Sequence, residues 1–228
     1  MNDIIANSDL LLKGLRITLM LGILSGVTSL VIGTLLGLAR YSNITPLKIC
    51  SATFIEITRS IPLVLYIVFI YLTCSPILGQ INIFHDEIFG SLEFQSAFIA
   101  LSLFTSAYIA EIVRSGLKSV ESTQIQAAKA LGLNIFQRLK YVILPCAISR
   151  MMPALVSQFI SLIKDTSLAS IIGLIEFTRS GEIIYERTYN ETQILALIAF
   201  VYFVICYGMS QISKKLEQRP FSIIKLGF

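Results

Sequence analysis

The chain has 228 residues, 55% of them hydrophobic and only 14% charged, with a formal net charge of +4, and its mean hydropathy is +0.78. Soluble domains carry roughly 25% charged residues, so this composition excludes a soluble globule. Apolar runs far longer than the ~10 residues of a barrel strand exclude a transmembrane β-barrel, and basic residues scattered over several segments give no nucleic-acid-binding surface.

Five apolar segments predict membrane-spanning helices, at about 15–39, 62–78, 94–113, 153–172 and 194–212, each near the ~20 residues that cross a bilayer core. The expected architecture is all-α: residues 1–228 as one polytopic membrane unit. The first basic residues, Lys13 and Arg16, precede an apolar run too long for the core of a cleaved signal peptide. In the first span, Gly22 and Gly26 of GILSG and Gly33 and Gly37 of GTLLG are spaced for close helix packing. Most of the basic residues follow spans one, three and five, among them Arg40, Lys48 and Arg59, then Arg114 to Arg150, then Lys214, Lys215, Arg219 and Lys225. The loop from Gly79 to Glu93 has no Lys or Arg and carries Asp86, Glu87 and Glu93. The positive-inside rule then predicts an outside N-terminus and a cytoplasmic C-terminus. Cys50, Cys74, Cys146 and Cys206 have no metal-like spacing and read as small core residues. His85, in a polar loop, reads as a surface residue.

The loop between spans three and four, about 114–150, is long for a connector, and long ordered loops tend to be functional. Thr123 predicts an N-cap, with Gln126 three residues on to close a capping box. Ile125, Ala128 and Leu131 recur at helical spacing, Lys129 suits the negative helix end, and Gly132 predicts a left-handed stop. Asn134 and Gln137 predict a second capped helix, and Pro145 opens the approach to span four. Two readings of this basic block remain open: a helix that docks into a groove on a partner, or an amphipathic helix lying on lipid headgroups.

Span four carries Ser157, Gln158, Ser161, Lys164 and Asp165 at spacings that place all five on one helical face. A charge in the bilayer costs roughly 3 kcal/mol on insertion scales, so such a stripe avoids lipid. It either lines a solute path, with Lys164 meeting a carboxylate, Asp165 an ammonium, and Gln158 and the serines a polar side chain, or belongs to structural pairs with Glu111 or Arg114. One cation and one anion favour a net-neutral zwitterion. Glu111 and Arg114 are spaced to pair with each other on span three. Glu176, Glu182, Glu186 and Glu191 predict an acidic outer loop, either solvated or in contact with a binding protein.

The basic block resembles the signature loop of permease subunits of ABC importers, whose pattern is Glu-Ala-Ala, three residues, Gly, nine residues, Ile, one residue, Leu-Pro. Here Gln126-Ala127-Ala128, Gly132, Val142 and Leu144-Pro145 match every gap, with Gln for Glu and Val for Ile. AYIAEIVRSGLKSV (Ala107 to Val120), RSIPL (Arg59 to Leu63) and KDTSLAS (Lys164 to Ser170) resemble further motifs of the polar amino acid branch, the histidine, glutamine and arginine type. The resemblance covers roughly residues 8–215. It implies an inner-membrane permease that moves a polar amino acid by alternating access, with no cofactor of its own. Its partners would be a second permease subunit (self or sister), a cytoplasmic ATPase dimer received by the coupling loop, and an extracytoplasmic binding protein. Gln126 in place of Glu removes a charge from that loop. The chain has no Gly-x4-Gly-Lys-Ser/Thr phosphate loop, so ATP hydrolysis falls to a partner. The competing class is a stand-alone secondary transporter or channel, which leaves the cytoplasmic helices unexplained. A membrane enzyme lacks a metal set or nucleophile–base pair.

Overall fold

A computed structural model describes residues 6–81 and 90–217, and all the regular structure among them is helical. His85, Asp86, Glu87, Arg219 and Lys225 lie outside the described residues. In chain order the helices are α1 (Ser8–Tyr41), α2 (Thr45–Ser60), α3 (Leu63–Ile81), α4 (Leu92–Lys118), α5 (Ser122–Ala130), α6 (Ile135–Arg138), α7 (Leu144–Asp165), α8 (Phe177–Thr188) and α9 (Glu191–Glu217). A π-helical turn, Leu139–Ile143, joins α6 to α7, and a 3₁₀ segment, Thr166–Ile172, continues α7.

Among the described residues, four helices are long and apolar enough to cross a membrane: Ser8–Tyr41, Leu92–Lys118, Ile135–Ile172 and Glu191–Gln211. The fifth candidate is broken. Thr45–Ser60 and Leu63–Leu78 meet at 108°. The sequence motif RSIPL is this elbow: a proline disfavours helical geometry in the residue before it, and Ile61 is accordingly extended, with φ −97° and ψ 133°. The segment read as a loop after span one is therefore mostly helix α2. Lys48 and Glu56 interrupt its apolar run, which hides it from a hydropathy search.

The helix that carries span four begins far earlier than residue 153. Pro145 lacks an N–H and its ring crowds the carbonyl four residues back. The π turn absorbs that conflict, with Leu144 N–H donating to Leu139 O across a wider ring. The helix thus runs unbroken from Ile135 to Ile172 over 38 residues, and the connector shrinks to α5 and its flanking turns.

The core runs along α4, where Phe94, Ala97, Ala100, Leu101, Ile109 and Ala110 are fully buried. α1 packs tightly along α4 because its glycines admit the α4 backbone. A Cβ on Gly33 would stand 2.7 Å from the Ser106 carbonyl oxygen, and one on Gly37 would stand 2.7 Å from the Ala110 carbonyl oxygen and 2.8 Å from Val113 Cβ. Gly22 and Gly26 face Ile163, Phe159 and Leu162 of α7. Backbone cannot retreat as a side-chain tip can, so Gly37→Val should cost about 2–3 kcal/mol or more. The expected reading is a melting temperature in detergent lowered by roughly 5–10 °C. An unchanged melt would mean that the α1–α4 contact is looser than described.

All four cysteines are free, but none is buried: Cys50 is exposed and the others are half-buried. The core expectation fails because the rim of a membrane bundle is itself apolar, and a thiol sits there at no cost.

Candidate coupling corner and transport path

α5 begins at Ser122, with Glu121 in the N-cap position and no side-chain cap. Thr123 therefore does not cap the helix. Its hydroxyl donates instead to Glu121 Oε2 at 3.3 Å, and Gln126 lies mid-helix on an exposed face with Ala127. The other two helix signals match the geometry. Gly132 adopts φ +77°, with its N–H on Lys129 O at 3.1 Å and Leu133 N–H on Ala128 O at 3.2 Å, a left-handed stop suited to glycine. Asn134 and Gln137 form a reciprocal capping box, both bonds 2.9 Å.

The apolar stripe divides between two tasks. Ala128 is buried and Ile125 packs on the cluster of Val113, Leu117, Val120 and Met151, so these residues hold α5 to its own chain. Leu131 and Phe136, each 81% exposed, and Ile135, 71% exposed, project away. Leu144 and Pro145 stand where the π turn becomes α7.

At the other end of α7, Ser157 and Lys164 are exposed, and Gln158, Ser161 and Asp165 are half-exposed, while the opposite face buries Leu162 and Ile163. Lys164 and Asp165 occupy the last α-turn before the 3₁₀ segment. Among the described residues neither makes an ion pair. Glu111 and Arg114, the suggested structural partners, are engaged elsewhere. Arg114 Nη2 meets Glu111 Oε2 at 2.7 Å and Arg40 Nη1 meets Glu111 Oε1 at 2.6 Å. Arg40 also reaches Glu56 at 2.9 Å, so one cluster ties α1, α2 and α4 together.

Glu176 is not part of an acidic loop. It is fully buried and caps α8, accepting from Arg179 N–H at 2.8 Å and Thr178 N–H at 3.0 Å. It also accepts from the Thr18 hydroxyl at 3.1 Å and the Tyr202 hydroxyl at 3.3 Å. It lies in the link between two spans, where burial pushes its carboxyl up from the ordinary range against the pull of these donors. Glu182 and Glu186 both pair with Arg179 on α8. Arg59, which the sequence presents only as a basic residue and the start of RSIPL, places its guanidinium 5.1 Å from the centre of the Tyr108 ring. It opens on a pocket of about 490 Å³ between α4 and α7, shared with Glu111 and Arg150.

Residues 18–221 match the pattern of the family described as binding-protein-dependent transport system inner membrane component. The chain belongs to this family. It is the membrane-embedded permease of such a system and not its ATPase. The permease is 38% identical over 210 residues to the probable glutamine ABC transporter permease protein GlnP of Bacillus subtilis, covering 90% of this chain and 91% of that protein. It is 34% identical over 218 residues to the glutamate/aspartate import permease protein GltK of Escherichia coli, covering 96% of each. Its fold superposes on a chain of a crystal structure of an amino acid ABC transporter with histidines, with a TM-score of 0.82 and 31% identity, over 95% of the permease and 96% of that chain. A binding protein and an ATPase are accordingly its working partners, and its place is the inner membrane as a multi-pass protein.

Proposed function

We propose that the permease imports a polar, net-neutral amino acid along a path bordered by the polar face of α7. Lys164 meets the α-carboxylate, Asp165 the α-ammonium, and Gln158, Ser157 and Ser161 the side chain. The observation that carries this reading is that Lys164 and Asp165 have no ion-pair partner among the described residues, although they sit in a span. Charges within a span are retained for a partner, and here that partner is the cargo. Within this continuous helix the winding tightens from α to 3₁₀ immediately after Asp165, a change that often marks a functional position.

The coupling corner consists of Gln126, Ala127, Ala128, Gly132, Leu144 and Pro145. Ala128 anchors it, and the exposed residues around Gly132 enter a groove on one subunit of a cytoplasmic ATPase dimer. The N-terminus is outside and the C-terminus cytoplasmic, a second permease subunit completes the path, and the binding protein delivers cargo from outside.

Uptake of labelled glutamine into vesicles containing the whole transporter tests this. Unlabelled glutamine should compete, while a tenfold excess of arginine or glutamate should not. Competition led by arginine or glutamate would overturn the neutral cargo, and uptake without ATP would overturn the coupling.

A further inference from the structure

A second charged cavity, of about 550 Å³, lies where α1 ends, α2 begins and α4 ends, and Arg40, Lys48, Arg114, Lys118, Ser42 and Asn43 line it. Arg40 and Arg114 are held by Glu111, and Arg40 also by Glu56. Lys48 and Lys118 are exposed and, among the described residues, make no ion pair. Four cations thus share two carboxylates, which leaves a surplus of positive charge. The amino end of α2 has no side-chain cap, so the N–H groups of Thr45 and Leu47 also await an acceptor, while Pro46 has none.

The surroundings name the ligand. Tyr41, Ile44 and Leu47, at and beside the mouth, are 45%, 61% and 48% exposed. A soluble anion has no use for that apolar rim, whereas a lipid presents a phosphate with acyl chains beside it. The cavity also lies where two helices long and apolar enough to cross a membrane end, a position that suits headgroup level. We propose that this cavity binds the phosphodiester headgroup of an anionic phospholipid, with Lys48 and Lys118 as its charge partners. Basic pockets between transmembrane helices take such headgroups through ordinary charge attraction.

The test is native mass spectrometry of the full-length chain, with whatever subunits co-purify, in a neutral detergent. Phosphatidylglycerol and phosphatidylcholine are offered at equal concentration. Wild type should retain phosphatidylglycerol about tenfold over phosphatidylcholine, and Lys48→Gln with Lys118→Gln should bring the two level without changing the lipid-free melting temperature. Equal retention of the two lipids by wild type, or unchanged preference in the double variant, would overturn the proposal. Displacement by millimolar inorganic phosphate would overturn the lipid in favour of a soluble phosphate. Loss of a co-purifying subunit with lipid preference intact would overturn it in favour of an acidic protein surface.

Discussion

Phe136→Asp should strip the ATPase from the purified permease while leaving the permease folded. Phe136 is 81% exposed, so its removal costs the isolated chain nothing in packing. In a docked complex the same ring is buried, which contributes about 1.5–3 kcal/mol, and a carboxylate placed in that groove adds an unpaired charge. Together these weaken retention by roughly a hundredfold or more. Leu131→Asp, at the same exposure, should act in the same direction. Gly132→Asp is the milder probe. A Cβ there meets open space, and Asp tolerates the left-handed conformation better than most residues. The measurement is co-purification of the ATPase in detergent, with Tyr189→Asp as control. Tyr189 is 89% exposed, lies in the link between α8 and α9 and has a φ of 53°. If Phe136→Asp retains the ATPase as wild type does, the corner is not a docking element, and α5 is better read as lying on headgroups.

Lys164→Glu should lower uptake by about a hundredfold at normal abundance in the membrane. Reversing the charge replaces an attraction for the cargo carboxylate with a repulsion, and loss of one member of a desolvated charge pair costs about 2–5 kcal/mol. A structural lysine would give a different result, because its loss would lower abundance or melting temperature along with uptake. Lys164 makes no ion pair among the described residues, so its charge has nothing to release inside the chain. Lys164→Arg, which keeps the charge, should recover part of the uptake. The decisive readout is ATPase turnover stimulated by cargo-loaded binding protein. Stimulation should vanish in Lys164→Glu while basal turnover persists. Unchanged uptake and affinity would remove Lys164 from the path.

Which features could be read in advance follows from how local their causes are. The spans of α1, α4 and α9 announce themselves because twenty apolar residues in a row have few alternatives. Asn134 with Gln137 and the stop at Gly132 are equally local, since each is settled within four residues. Thr123 shows the limit of such reasoning: it has the right chemistry for a cap, but the chain enters the helix at Ser122. For α2 the signal was Thr45-Pro46 at a helix start, overlooked because the charges after it resembled a loop. Glu176 could not be found locally at all. Its partner Thr18 is 158 positions away, and the neighbouring Glu182 and Glu186 made it look solvated. The family motifs suggested the proposed coupling corner and helical spacing the α7 stripe, but neither announced the outward turn of Leu131 and Phe136, which accompanies the packing of Ile125 on residues of α4 and α7 and the burial of Ala128.

The unbroken helix from Ile135 to Ile172 makes the two proposed sites ends of one lever. Phe136 and Lys164 are separated by about 42 Å at ~1.5 Å per residue. A tilt of about 10° at the corner would sweep the far end through roughly 7 Å, the size of an amino acid. A rod also fixes phase. Each residue inserted between the two ends would swing Lys164 by about 100° around the axis relative to Phe136, so the length of this helix sets the direction of the stroke as well as its reach.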